Sequence, residues 1–252
     1  MKLLPPELLV EDRDTIGEID RIMMSIYRLI TFSRQHLADD VLDRFLASTN
    51  ELQELVGIKN AQMEAQTERE AEIYLRNLDH ALHFVIEEIK NGVEFETELQ
   101  LFQLFRIIDP EAHARHPNRY RDKLVQIGGH LCPEPAELGS LVSQLIHNLA
   151  RIDSPVMRAI YLHHELIRIH PFADGNGRTA RIAKNWILMY HLYPPIFIRD
   201  DAEKTDYIGA LAASFARLEQ APDTCNEDTV GFFAQETHRI LDNARRLADD
   251  LQ

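Results

Sequence analysis

The residues best suited to chemistry in this chain stand together in one short segment, from His170 to Arg181. The segment contains an imidazole, a carboxylate, a Gly-Asn-Gly turn and two arginines. Glycines let backbone N–H groups approach an anion closely, because no Cβ lies in the way. From Arg178 onward apolar residues recur at helical spacing, so the turn is expected to open onto a helix N-terminus, where phosphate is favoured. These features predict a site that holds a polyphosphate and transfers one of its groups.

Individual side chains in the segment fit separate parts of such a reaction. Arg178 and Arg181 carry guanidinium forks that match phosphate oxygens. Asp174 precedes the glycines, where one carboxylate and substrate phosphates together are the usual way to hold Mg²⁺. His170 is the natural general base for a protein hydroxyl, and Phe172 is expected to turn inward and fix the loop to the core. The structural alternative is a simple turn with a helix-capping aspartate.

On these residues the chain resembles the Fic family, whose signature reads His-x-Phe-x-(Asp/Glu)-Gly-Asn-Gly-Arg-x-x-Arg. The resemblance implies an α-helical enzyme that uses Mg²⁺ and transfers AMP from ATP to a hydroxyl side chain of a target protein. It implies His170 as the base and Asp174 as the Mg²⁺ ligand. Arg181 would hold the γ-phosphate, and Asn185 on the next helix would line the adenosine pocket. The nucleotide-binding residues implied in this way are Phe172, Gly175, Asn176, Gly177, Arg178, Arg181 and Asn185.

Composition places the chain among ordinary globular proteins, with 45% apolar and 27% charged residues in 252. The net charge of −14, without a dense Lys/Arg tract, argues against binding nucleic acid or an anionic membrane. Cys132 and Cys225 are too few for a disulfide framework, and both thiols are expected to be inert. With neither a signal peptide nor a membrane-length apolar stretch, a cytoplasmic protein is expected.

Helical spacing of apolar residues predicts an all-α fold of the Fic type. Residues 1–90 are predicted to form N-terminal helices, including an inhibitory helix, and residues 91–252 a Fic core with the motif and the C-terminal helices. The one long segment predicted to lack helix covers 109–135. The predicted helices are 16–32, 39–56, 67–90, 98–107, 137–149, 154–169, 178–190, 205–218 and 229–251.

A short hairpin is predicted before the motif, because apolar residues flank Gly128-Gly129. Fic proteins have a hairpin flap at about this distance, which clamps the target backbone as an added strand. The resemblance therefore implies Val125, Gln126 and Ile127 as flap residues. The alternative is a connecting loop without a role.

A regulatory element is indicated by the resemblance of residues 48–54 to the Fic inhibitory helix, (Ser/Thr)-x-x-x-Glu-(Gly/Asn). In relatives the glutamate pairs with the second motif arginine, which is Arg181 here. Starting from Thr49, however, the glutamate position holds Gln53, and Glu54 follows it. We therefore predict weakened or differently wired inhibition and a poor capacity to remove AMP. A merely packed amphipathic helix is the alternative.

The adjacent His163 and His164 point to different faces of a helix and so do not predict a zinc site. The leading function is AMP transfer from ATP to a Ser, Thr or Tyr hydroxyl of an unidentified protein, with self-modification left open. Two alternatives remain: a Fic-fold transferase of another nucleotide or of phosphate, and a non-catalytic nucleotide-sensing module. The complete set of His170, Asp174 and Arg178 argues against the module, since binding alone needs no base.

Overall fold

The computed structural model describes residues 1–32, 65–116, 120–196, 198 and 200–250. Within this part the regular secondary structure is helical apart from one two-stranded hairpin. The predicted all-α fold with a short hairpin is therefore confirmed. Short 3₁₀ turns cover Pro6–Leu8 and Pro135–Glu137. The helices are α1 (Arg13–Phe32), α2 (Glu68–Lys90), α3 (Glu98–Ile108), α4 (Pro110–Arg115), α5 (Leu138–Leu149), α6 (Pro155–Ile169), α7 (Asn176–Tyr190), α8 (Asp201–Gln220) and α9 (Glu227–Asp250).

Side-chain caps set the starts of several helices. The Thr67 hydroxyl accepts from the amide of Glu70 at the start of α2. Ser154 caps α6, with Pro at the first helical position, as the sequence predicts. Each cap satisfies a backbone N–H that has no partner within its own helix.

The prediction of a segment without helix over 109–135 is wrong, because Pro110–Arg115 forms α4. Asp109 caps this helix by accepting from the amide of Ala112 at 2.9 Å, and Pro110 supplies a preset first turn. The motif helix also begins two residues earlier than predicted, at Asn176, and α8 begins four residues earlier, at Asp201. The predicted helix over 39–56 lies outside the described residues.

The two central helices, α6 and α7, pack against each other and are buried along almost their whole length. Helices α2 and α3 cover α7 on one side, while α9 packs against α1 and α8. Trp186, predicted to be core, is fully buried between the rings of Phe84 and Phe95. Because the motif segment joins α6 to α7, both of its ends are fixed to the most buried part of the fold.

The hairpin consists of β1 (Gln126–Ile127) and β2 (His130–Leu131), paired antiparallel. Gly128 and Gly129 take φ values of 52° and 88°, which a two-residue turn of this kind requires at both positions. His130 anchors the hairpin to the core, since its ring contacts Glu219 on α8 and the Arg168 carbonyl on α6.

No helix in the described part of the chain is both long and apolar enough to cross a membrane. Cys132 and Cys225 are free thiols, and burial raises the pKa of both, that of Cys132 to about 11. Both are therefore protonated at neutral pH, as expected for inert cysteines.

Candidate active site

The motif segment reverses the chain between α6 and α7 through two left-handed residues. His170 ends α6 with φ 50° and ψ 59°, and its amide donates to the Leu166 carbonyl. Gly175 stands just before α7 with φ 72°. A left-handed residue is a common helix terminator, but it is rare for a side chain other than glycine or asparagine. The histidine is thus held in a backbone conformation set by the turn.

Asn176 closes the loop on itself. Its side-chain oxygen accepts from the amide of Phe172, and its nitrogen donates to the carbonyl of the same residue, both at 2.8 Å. The Phe172 ring is fully buried and stacks on Phe105, with centroids 3.9 Å apart. Phe172 therefore fixes the loop to the core, as predicted, and its ring faces away from solvent.

Arg121 holds the histidine end of the loop, although sequence reasoning gave it no role. Its Nε donates to the His170 carbonyl at 2.7 Å, and its backbone amide donates to the Pro171 carbonyl at 2.9 Å. The two terminal nitrogens donate to the carbonyls of Lys123 and Pro133, both at 2.6 Å. This buried side chain thereby ties the motif segment to the base of the hairpin.

The electrostatics of His170 favour a neutral ring. Burial, followed by the positive charge of Arg121, lowers its pKa to about 4, and the Asp174 carboxylate opposes this only in part. A hydrogen bond to the backbone of Ile167 also raises the pKa of His170 and likewise offsets the effect of burial only in part. A neutral imidazole can accept a proton, so at neutral pH the ring is in the form a general base needs.

The turn at Gly175 forms a small backbone cradle at the N-terminus of α7. The first helical hydrogen bond of α7 runs from the Thr179 amide to the Gly175 carbonyl, so the amides of Asn176, Gly177 and Arg178 precede it. A Cβ at Gly175 would lie 3.3 Å from the Cβ of Asp109, so only glycine fits this left-handed position comfortably. Binding of an anion at this helix N-terminus stays a prediction.

The chemistry of Asp174 suits a magnesium ion that arrives with phosphates. The carboxylate is 64% exposed and accepts from the Gly175 amide at 2.6 Å, which leaves an oxygen at the mouth of the cradle. Within the described residues no group of three or more His, Cys, Asp or Glu side chains could hold a metal. One carboxylate with substrate phosphates is the mode that Mg²⁺ commonly uses, so the residue present fits the ion.

Arg178 is enclosed by groups from three other parts of the chain. Its guanidinium carbon lies 3.7 Å from the ring centre of Tyr74 on α2. One terminal nitrogen lies 3.6 Å from Asp109 and also 3.6 Å from Asp174. The other is 3.4 Å from the Ile108 carbonyl. The side chain is only 3% exposed, so its position is set by these neighbours.

Arg181 borders a small internal cavity rich in buried charge. Lys184 and Arg239 both pair with the fully buried Glu236, Lys184 at 2.8 Å. The neutral ring of His163 also faces this group, and its Nε2 lies 2.6 Å from the Tyr207 hydroxyl. Burial, with Lys184 and Arg181 next, holds the His163 pKa well below its usual value. The cavity is lined by His163, Arg181, Lys184, Ile196, Ile198, Tyr207, Glu236 and Arg239.

Asn185 is occupied by the backbone after α7. Its amide nitrogen donates to the Ile196 carbonyl at 3.1 Å, and its oxygen accepts from the Ile196 amide at 2.9 Å. The side chain is fully buried. It fixes the chain between α7 and α8, where the sequence predicts an adenosine pocket.

Comparison with known proteins identifies the region that carries this site. Residues 96–188 match the family model described as Fic/DOC family. These residues form a Fic domain. The motif, the hairpin and helices α3 to α6 all lie within the matched range, and α7 continues two residues beyond it.

Relatives and a solved structure agree with this assignment. The chain is 34% identical over 126 residues to the protein adenylyltransferase Fic of Culex quinquefasciatus, covering 48% of this chain and 25% of that protein. It is 32% identical over 169 residues to the same-named protein of Nematostella vectensis, covering 66% and 38%. The chain thus spans about a quarter to two fifths of the length of these relatives. The fold matches a Fic-domain signalling protein of Bacteroides thetaiotaomicron with a TM-score of 0.72 at 18% identity, over 93% of this chain and 97% of that one.

Of the predicted flap and regulatory residues, the structure describes only those of the hairpin. In the hairpin, Gln126 is exposed, Val125 and Ile127 are half-buried, and the Val125 carbonyl accepts from the Cys132 amide. Gln53 and Glu54, the regulatory residues, lie outside the described residues.

Three residues that shape the Fic site were missed from the sequence. Arg121 stands in an Asn-Arg-Tyr-Arg run that could have marked it as a loop anchor. Asp109 precedes a proline and a glutamate, a helix-start signal that was not used. Tyr74 is one of many side chains on an amphipathic helix, and no sequence signal distinguishes it.

His163 and His164 have separate structural partners, as their positions on different helix faces predict. His164 bonds to Glu165 at 2.8 Å and to the Ser214 hydroxyl at 2.9 Å. Arg168 holds the other oxygen of Glu165 at 2.6 Å. All of these groups are fully or almost fully buried, so the pair belongs to the core of the Fic domain.

Proposed function

We propose that this chain transfers AMP from Mg·ATP to a Ser, Thr or Tyr hydroxyl of a target protein, releasing pyrophosphate. The observation that carries the proposal is the position of His170, a neutral imidazole fixed by Arg121 beside a glycine cradle at the start of α7. The naming of relatives at 34% and 32% identity as protein adenylyltransferases supports the same activity.

In this mechanism His170 accepts the proton of the target hydroxyl as its oxygen attacks the α-phosphorus. The bond from that phosphorus to the bridging oxygen of the β-phosphate breaks, and pyrophosphate leaves with the electron pair. A low pKa keeps the ring unprotonated before the reaction, while the negative charge of bound phosphates favours the imidazolium that forms.

The remaining motif residues would bind the triphosphate. The turn of Gly175, Asn176 and Gly177 would present the amides of Asn176 and Gly177 to the phosphate oxygens, with Arg178 and Arg181 supplying positive charge. Asp174 would hold Mg²⁺, which when bound neutralises phosphate charge as the reaction proceeds. A chain of net charge −14 repels ATP as a whole, so these local groups must supply the attraction.

The target would be positioned by the hairpin, with its backbone added beside Val125, Gln126 and Ile127. Exposed strand edges bind extended peptides through main-chain hydrogen bonds, which supports this proposal. The target is an unidentified protein, with self-modification as the alternative.

We also propose a division into residues 1–90 and a Fic core over 91–252. We further propose a cytoplasmic location, which the two free thiols support.

The deciding experiment uses ATP labelled at either the α- or the γ-phosphate, with Mg²⁺, purified protein and bacterial lysate as the source of targets. We expect label from the α-position to enter protein and label from the γ-position to stay in solution. His170→Ala should abolish the transfer. Thermal unfolding of the variant, compared with the parent protein, controls for folding.

Each other outcome supports a different function. Label from the γ-position only would make the protein a phosphotransferase. Binding of ATP without transfer of either label, to lysate or to itself, would favour the nucleotide-sensing module. Transfer of label from UTP or GTP and not from ATP would assign another donor to the same fold.

A further inference from the structure

Asp109 lies beside the motif loop, and each of its two carboxylate oxygens contacts a different group. One oxygen caps α4 by accepting from the Ala112 amide at 2.9 Å. The other lies 3.6 Å from a terminal nitrogen of Arg178. Its Cβ is the nearest atom to the space where a side chain on Gly175 would begin. The Asp109 side chain therefore contacts both Arg178 and the turn at Gly175, although Asp109 lies outside the motif.

The same Arg178 nitrogen lies 3.6 Å from Asp174, the exposed carboxylate at the mouth of the cradle. Two carboxylates thus compete for one guanidinium. Asp109 is 13% exposed and Asp174 is 64% exposed, so water screens the pair with Asp109 less. The Tyr74 ring covers one face of the guanidinium and limits its movement. The Arg178 nitrogen lies equally far from both carboxylates, so Asp109 takes a share of its charge that Asp174 would otherwise receive.

We propose that Asp109 is a positioning residue that competes with Asp174 for Arg178 and weakens that pair, so that Asp174 stays available for a divalent cation. Removing the charge of Asp109 takes away one of the two carboxylates that share this Arg178 nitrogen and leaves its contact with Asp174. The guanidinium then moves toward Asp174, and a cation must displace it before binding. The inference rests on the proposed function in one respect, that Mg²⁺ and ATP bind at this loop.

The test substitutes Asp109→Asn, which removes the charge and keeps an oxygen that can cap α4. Both the variant and its parent carry His170→Ala, so that bound ATP is not consumed. ATP binding is measured by calorimetry at a series of Mg²⁺ concentrations and also without Mg²⁺. We expect the Mg²⁺ concentration for half-maximal ATP binding to rise about threefold to tenfold, in the range of coupling between charged neighbours. Binding of ATP without Mg²⁺ should not weaken.

The role of Asp174 is tested by a double-mutant cycle. In an Asp174→Asn background, Asp109→Asn should leave the Mg²⁺ dependence unchanged, because the competition no longer exists. Asp109→Ser also caps a helix without charge and should give the same shift as Asp109→Asn. This second variant keeps the test valid if one of the two folds poorly.

Two results overturn the inference. One is an unchanged Mg²⁺ dependence in folded Asp109→Asn and Asp109→Ser proteins, and the other is an equal loss of ATP binding with and without Mg²⁺. The second pattern would mean that Asp109 only supports the fold through α4. Failure of the proposed function is distinguishable, because the parent would then bind no ATP at any Mg²⁺ concentration, or would bind it and transfer no α-label with His170 intact.

Discussion

The Nε of Arg121 donates a hydrogen bond of 2.7 Å to the carbonyl of His170, the proposed general base. Further bonds from the same side chain reach the carbonyls of Lys123 and Pro133 at the base of the hairpin. One arginine thus links the proposed general base to the proposed target-binding strand. A target held by that strand would be presented to the base through this shared support.

Arg121→Lys should lower the rate of AMP transfer by about a hundredfold, because a lysine cannot reach these carbonyls together and small displacements of a base are costly. ATP binding should change by less than about threefold, since the cradle at Gly175 is supported separately. Steady-state kinetics with separate calorimetry of ATP binding make the measurement. Arg217→Lys is the matched control, because Arg217 forms an exposed pair with Asp228. Loss of ATP binding as large as the loss of rate would contradict the role given to Arg121.

The imidazole of His170 should titrate at about pH 4 in the free protein, well below the usual value near 6.5. NMR titration of the histidine ring signals, with His170→Ala to assign the resonance, measures this directly. Arg121→Gln should raise the midpoint, because the positive charge of Arg121 is the second cause of the low pKa after burial. A midpoint near 6.5 in the parent protein would contradict the burial described for the ring.

Stability should fall as pH decreases from about 6.5 to about 4. In this window the unfolded His170 takes up a proton while the folded ring does not, so acid stabilises the unfolded state. The loss attributable to His170 is up to about 3 kcal/mol, and the buried His163 acts in the same direction. Urea unfolding at pH 7 and pH 4.5 measures it. His170→Ala should show a smaller difference between the two pH values, and an equal difference would contradict the assignment.

Gly175→Ala should both destabilise the protein and weaken ATP binding. The residue has φ 72°, and the new methyl group would lie 3.3 Å from the Asp109 Cβ. A cost of about 1 to 3 kcal/mol is expected from the strained backbone, with measurement by urea unfolding. Gly209→Ala is the control, since this position on α8 has open space around it and an ordinary helical backbone, and there alanine should stabilise. Equal effects at the two glycines would show that the turn imposes no special conformation.

Gln53→Glu should lower transferase activity if residues 48–54 act as the inhibitory helix of relatives. A carboxylate pairs with Arg181 through a charge-assisted bond, whereas the natural amide offers only a neutral one, about half as strong. Transfer of α-label by the variant and the parent makes the comparison. Glu54→Gln is measured beside it, and a rise in activity there would assign inhibition to Glu54 instead. Unchanged activity in both variants would mean that this segment does not inhibit.

The motif could be predicted from sequence because its residues lie together along the chain and each has a chemical reason to be there. The same holds for Ser154 with Pro155, whose cap and first turn are local. The surroundings of Arg178 could not be predicted in this way. Tyr74 and Asp109 come from α2 and from the start of α4, and only tertiary packing brings them to the guanidinium.

General features of the sequence were also given more weight than local signals for secondary structure. The presence of proline and glycine made residues 109–135 look like loop, although Asp109 and Pro110 together begin a helix. Asn185 shows the reverse difficulty, since a polar residue after a binding motif reads as a ligand contact. The structure shows that its amide bonds to both backbone groups of Ile196, a partner that its sequence position does not reveal.

The two hydrogen bonds between Asn176 and Phe172 fix the shape of the motif loop through contacts within five consecutive residues. An aspartate at this position lacks the donor, and a glutamine is one carbon too long to meet both groups of the same peptide unit. The neighbouring helices then need only fix where the two ends of the segment lie. A segment whose shape is set by its own residues can be transplanted. Grafted between the ends of two other packed helices, it should keep the curvature of the cradle.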